Sequence, residues 1–166
     1  MNKSQKKKVI GFWKPNDKYG FMSQWYGSDF TINNITFNTS EKYMMYQKAV
    51  LFNDIENMNS ILLLNDPSQI KNMGRKVKNF NQEKWDSAKK EIIFKANLYK
   101  FSQNKILLKK LLDTGDMILA EASPCDKIYG IGLKPNDPKV QDISQWKGEN
   151  LLGEALMRVR EKLSLQ

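Results

Sequence analysis

From Asn81 to Leu112 the chain reads NQEKWDSAKKEIIFKANLYKFSQNKILLKKLL, two helical patterns in succession. Trp85, Ala88, Ile92, Ala96 and Tyr99 recur at the spacing of one helix face, and Asn81 stands where an N-cap belongs. The second pattern is a further amphipathic helix ending at Gly115. Strand signals are much shorter. FTI and ITF flank Asn33–Asn34 like a small hairpin, MILAEASP reads as a strand, and KIYGIGL as a second strand or extended segment. More helical text covers Asn38 or Ser40 to about Asp54, the segment before Pro67, DPSQIKNMGRKV, and a last helix with the apolar stripe Leu152, Leu156, Val159 and Leu163. Strands do not alternate with helices as in a doubly wound sheet. The expectation is an α+β, mostly helical, compact single domain over residues 11–166, preceded by a flexible basic arm over 1–10.

Composition removes much chemistry. The chain has no histidine and one cysteine, Cys125. Serine–histidine and cysteine–histidine catalysis, paired-cysteine metal sites and histidine zinc sites are excluded, so no metal and no cofactor is expected. Acid, base or nucleophile must come from Asp, Glu, Lys, Tyr, Ser or Cys125. No apolar run is long enough to span a membrane, and the expected location is the cytoplasm. The net charge of +9 attracts phosphate, in nucleic acid or in a phosphorylated small molecule; a general richness in Lys and Asn explains it equally well.

The stretch TSEKYMMYQKAV, Thr39 to Val50, is unusual. Seven residues bring a helix back to within about 20° of its starting direction, which sets Glu41 and Lys48 on one stripe with Met44, Met45, Leu51 and Phe52. Unpaired charges on an apolar stripe are costly. These two stand about 10 Å apart in rise, too far for an ordinary salt bridge along one helix. Glu41 could instead close a capping box with Asn38, and Lys48 could lift its ammonium into water. As chemistry, a carboxylate stabilises an oxocarbenium ion or activates water, and a lysine in an apolar pocket can attack an aldehyde-like carbon. Together they suit cleavage of a ribosyl C–N bond.

Other candidates each carry two readings. Gly74 and Arg75 mark either a helix end offering an arginine to phosphate or a left-handed C-cap glycine with a surface arginine. Asp126, Tyr129 and Gly130, in DKIYGIG, suit a pocket wall that hydrogen-bonds ribose and stacks on a base. Trp25, Tyr26 and Trp146 could stack a nucleobase or fill a core. Asn150 opens the last helix, either at a phosphate-binding N-terminus or simply as a cap.

The segments GFMSQWY, TSEKYMMYQKA, KNMGRKV, KWDSAKKEIIFKANLYKFSQN, LAEASPCDKIYGIGL and WKGENLLGEALMRVREKL, in this order, resemble the NADAR or YbiA-like family. That resemblance implies an N-glycosidase. Its substrate would be a phosphorylated ribosylamino-pyrimidine intermediate of riboflavin biosynthesis, or ADP-ribosylated guanine in DNA or RNA. It also implies that Glu41 is the catalytic glutamate and Lys48 the lysine of the same helix, and it brings Ser23 into the binding set with Trp25 and Tyr26. Three departures stand out. Lys42 replaces a common histidine, Tyr129 a common tryptophan, and Ser23-Gln24-Trp25 the usual SNF. The alternatives are a non-catalytic ADP-ribose or NAD-binding module and a basic nucleic-acid-binding protein.

Overall fold

A computed structural model describes residues 7–165. In chain order the described elements are β1 (Val9–Phe12), β2 (Phe30–Ile32), β3 (Ile35–Phe37), α1 (Ser40–Leu51), α2 (Ile55–Leu63), α3 (Pro67–Arg75), α4 (Gln82–Ser102), α5 (Lys105–Leu112), β4 (Ile118–Glu121) and α6 (Leu151–Ser164). Helices dominate and the strands are short, the α+β class expected. The chain divides into two compact units, Gln24–Lys105 and Met1–Ser23 with Ile106–Gln166. Positions 1–6 of the expected basic arm lie outside the described residues. Val9 and Ile10, taken into that arm, instead begin β1 and are buried.

In the unit Gln24–Lys105, β2 and β3 form the expected hairpin, with Phe30 opposite Phe37. Asn33 and Asn34 both hold positive φ, 51° and 65°, the pattern of a type I′ turn. Phe30 and Phe37 pack with Tyr43 of α1 and Ala96 of α4. Helix α1 packs against α2, α3 and α4. Its first six residues, Ser40 to Met45, are all buried, so no side of that half faces water. Side chains cap the helices of this unit, Asn81 among them as expected. The Asp66 carboxylate accepts from Gln69 N at 2.9 Å ahead of α3, and Asn81 Oδ1 accepts from Lys84 N at 2.8 Å ahead of α4.

Gly74 departs from its expected role. It lies inside α3, is buried, and is absent from the residues of positive φ, so it is not a left-handed cap. Its missing side chain is used for packing: a Cβ there would overlap Met45 Sδ and reach within 2.9 Å of Met45 Cγ. Glycine lets α3 approach α1 closely.

In the other unit, β1 and β4 pair in parallel, Val9 opposite Ile118 and Phe12 opposite Glu121. α6 packs on β4 and buries Leu152, Leu156, Val159 and Leu163. KIYGIGL is not a strand. Its backbone is spent on scattered partners, Ile131 N on Glu121 O, Gly132 N on Asp126 O and Lys147 N on Ile131 O, and Gly132 has φ +68°. No regular ladder remains possible there.

Gly74→Ala overpacks the α1–α3 contact and lowers stability by about 1–3 kcal/mol. Combined with Met45→Ala, the loss is smaller than the sum of the two single losses, because the smaller side chain accepts the new methyl. Urea unfolding of the single and double variants measures this coupling.

Candidate active site

The site grows from the first turn of α1. Thr39 is the N-cap; its hydroxyl accepts from Lys42 N at 3.1 Å. Glu41 is therefore the second helical residue and Lys42 the third. The capping box with Asn38 does not form, because Thr39 rather than Asn38 is the N-cap, which moves Glu41 out of the third helical position. The Glu41 N–H donates instead to the backbone carbonyl of Gln24 at 3.0 Å, which satisfies one of the free amides of the helix start. Only 4% of Glu41 is exposed. A carboxylate in a first helical turn meets the positive end of the backbone dipoles, which favours its charge.

Lys42, beside it, is equally buried and donates to the carbonyl of Leu62 at 2.9 Å and to Asn65 Oδ1 at 3.4 Å. Burial lowers its ammonium pKa, and Asp29 acts against that. This lysine ties α1 to the end of α2.

Lys48 lies two turns beyond Glu41, in the last turn of α1. Its ammonium stands 4.7 Å from the centre of the Phe80 ring and 5.5 Å from that of Trp85. Its pKa is lowered, first by burial; the Glu41 carboxylate raises it and the Arg75 guanidinium lowers it. Glu41 and Arg75 thus each act on Lys48 electrostatically, in opposite senses. Arg75, at the end of α3, is exposed and donates to Asn72 Oδ1 at 3.3 Å. One turn earlier, Lys71 holds its ammonium 5.9 Å from the Trp25 ring centre. Trp25 is 38% exposed and follows Gln24, whose carbonyl is fixed to Glu41. Tyr26 lies 5.4 Å from the ammonium of Lys100.

Of the sequence-predicted residues, Glu41, Lys48, Arg75, Gly74, Trp25 and Tyr26 therefore belong to one unit, and Gly74 serves packing. Phe80 and Trp85 were not anticipated as neighbours of Lys48. Trp85 read only as part of a helix stripe, and Phe80 precedes α4, where no periodicity marks it.

Ser23, Asp126, Tyr129, Gly130, Trp146 and Asn150 belong to the other unit, where several have work within the fold. Asp126 Oδ1 accepts from Ile128 N at 2.9 Å and Tyr129 N at 2.8 Å, which builds the loop. A Cβ on Gly130 would come within 2.8 Å of Glu121 O. Trp146 donates its indole N–H to Val140 O at 3.0 Å and packs against the cluster of Val9, Ala120 and Ile131. Asn150, at φ 57°, makes no side-chain cap. Its Oδ1 accepts from Glu121 N at 3.0 Å and its Nδ2 donates to Leu119 O at 2.9 Å. The side chain thus occupies the backbone of β4 as a neighbouring strand would.

Among the described residues no group of His, Cys, Asp and Glu could hold a metal ion, and no helix is long and apolar enough to cross a membrane.

Comparison with known proteins identifies the class. The family model of the NADAR domain matches residues 11–164. The chain belongs to the NADAR domain family, and its enzymatic class is that of the N-glycosidases. It is 42% identical over 145 residues to an N-glycosidase of Acanthamoeba polyphaga mimivirus, covering 84% of this chain and 85% of that protein. It is 30% identical over 158 residues to the N-glycosidase YbiA of Escherichia coli (strain K12), covering 95% and 90%. A riboflavin biosynthesis protein of Vibrio vulnificus (strain YJ016) is 30% identical over 154 residues; the match covers 93% of this chain and 38% of that longer protein. The NMR structure of E. coli YbiA superimposes with a TM-score of 0.80 at 29% identity, over 97% of this chain and 88% of the other.

Asn150→Ala removes two hydrogen bonds to the β4 backbone and leaves alanine at a left-handed φ, a loss of about 2–4 kcal/mol. Asn150→Gly loses the same hydrogen bonds without the φ penalty and should be about 1 kcal/mol less damaging. Denaturant titration of both variants separates the two contributions.

Proposed function

We propose that this chain hydrolyses the C1–N bond between a phosphorylated or ADP-linked ribose and a nitrogen base, in the cytoplasm. The observation that carries this reading is the pair on α1: buried Glu41 and half-buried Lys48, two turns apart, electrostatically linked and flanked by Phe80, Trp85 and Arg75. About 10 Å of helix rise between them leaves room for a ribose ring.

In the proposed reaction the C1–N bond breaks with its electron pair going to the base nitrogen, which takes up a proton. Positive charge develops at C1, and the Glu41 carboxylate stabilises it. Water adds to C1 and gives its proton to Glu41. Lys48, its amine more readily freed of a proton than an ordinary lysine, is either the electrostatic partner of Glu41 or a nucleophile. As nucleophile, the neutral amine adds to C1 of the opened ribose, the C1–N bond to the base breaks as an imine to Lys48 forms, and water hydrolyses that imine to free the ribose and the amine. Arg75 and Lys71, four residues apart on α3, offer two cations to phosphate, and Trp25 offers a ring to the base. The substrate class is drawn from the relatives named N-glycosidase and riboflavin biosynthesis protein and from the cations of α3. Two substrates fit it, a free phosphorylated ribosylamino-pyrimidine and a guanine ADP-ribosylated in DNA or RNA.

Side-by-side turnover of these two substrates decides between them. On whichever is hydrolysed, Glu41→Ala should lower kcat by about 10²–10⁴-fold without unfolding the protein. Full activity in that variant would sink the proposal, and ligand bound without ribose release would point to a binding module instead.

A nucleophilic Lys48 also fixes a pH dependence. Only the neutral amine attacks, so kcat rises with pH and levels off below the ordinary lysine value of 10.5, because burial has lowered the pKa. Borohydride reduction during turnover then yields a ribosyl adduct on Lys48, read by mass spectrometry. Lys48→Arg keeps the charge and loses the adduct and the activity together; an active Lys48→Arg assigns the residue a purely electrostatic role.

A further inference from the structure

Asn97, on α4, has no exposed surface. Its Nδ2 donates to Gln24 Oε1 at 3.0 Å and to Ile93 O at 2.9 Å, while its Oδ1 is buried without a hydrogen-bond partner. A buried orphan acceptor is destabilising and uncommon, and calls for an explanation beyond packing. Gln24, 7% exposed, carries the contact onward in two directions. Its Nε2 points at Met44 Sδ at 3.9 Å, and its backbone carbonyl accepts from the Glu41 N–H at 3.0 Å. Met44 is one turn beyond Glu41, so a single residue grips α1 on both sides of that turn. The side chain of Gln24 is one methylene longer than asparagine, and that length is what spans from its backbone to α4.

We propose that Asn97 and Gln24 are positioning residues for the Glu41 carboxylate: α4 fixes the Gln24 amide, and Gln24 fixes the first turn of α1. This rests on the catalytic reading of Glu41. A helix start is ordinarily its loosest turn, since its amides lack partners within the helix. The clamp removes that freedom where the carboxylate must meet a reacting carbon. Because small displacements of a catalytic group lower rates steeply, the expected effect lies on kcat rather than on KM.

Three variants test the clamp. Asn97→Leu exchanges one orphan acceptor for another, Asn97 Oδ1 for Gln24 Oε1, so its Tm should stay close to that of the unaltered protein. Gln24→Asn falls a methylene short of Asn97. Gln24→Asn combined with Asn97→Gln moves the methylene to the other partner and restores the reach. Each single variant should lower kcat about 10-fold or more with KM nearly unchanged, and the double variant should recover most of it. Hydrogen exchange at the Glu41 amide supplies a readout independent of any substrate. Its protection should fall about 10-fold in each single variant, relative to the amides of the second half of α1, and return in the double variant. Unaltered protection and kcat in both single variants would overturn the proposal, as would a loss that the double variant fails to recover. If Glu41→Ala is fully active, the catalytic reading fails while the exchange result still decides whether the clamp exists.

Discussion

Everything distinctive about the unit Gln24–Lys105 depends on the burial of one helical turn on all its sides. Ser40, Glu41 and Lys42 are each at most 4% exposed, although all three are polar and two are charged. Burying such a turn is costly unless its polar groups find partners, and here the backbone amides and the Lys42 ammonium do, while the Ser40 hydroxyl is left without one. The Thr39 hydroxyl and the Gln24 carbonyl take backbone amides, and the Lys42 ammonium takes the carbonyl of Leu62. Neighbouring elements are therefore held to α1 by polar contacts as well as by apolar packing, and Glu41 sits where the surroundings are most constrained.

The two charges of α1 are also matched to the helix. Glu41 lies in the first turn and Lys48 in the last, so the backbone dipoles favour both. That arrangement lets a carboxylate and an ammonium share a face across a gap without neutralising each other. Aromatic rings complete the surroundings of Lys48: Phe80 and Trp85 face its ammonium while Phe52 packs on Phe80 at 5.3 Å. Attraction to the ring faces offsets part of the desolvation that lowers the lysine pKa. Gly74 contributes by absence, since the close approach it allows brings the helix that ends in Arg75 against α1.

Much of this was legible beforehand for physical reasons. The period of α4, the Asn33–Asn34 turn and the cap Asn81 are local signals, written within a few residues of the structure they produce. Glu41 and Lys48 stood out because helix geometry alone puts them on one stripe. The Gly74 reading went wrong because a glycine near a helix end suits a left-handed cap and a helix crossing equally, and only the neighbour, Met45, distinguishes them. Asn150 misled in the same way: a residue before a helix looks like a cap, and its bonds to β4 join it to positions about thirty residues back. The parallel pairing of Val9 with Ile118 is longer-ranged still, and no short-range pattern announces it.

By itself, then, the sequence determined the helices and the hairpin, excluded histidine and paired-cysteine chemistry, and marked a carboxylate and an amine on one helical face. The tertiary structure alone decided which groups surround them. Burial lowers the Lys48 pKa, Phe80 and Trp85 face its ammonium, and Gln24 with Asn97 grips the turn that carries Glu41. The division follows from range: propensity, capping and helical phase act over a few residues, whereas desolvation and long-range hydrogen bonds depend on chain segments that meet only after folding.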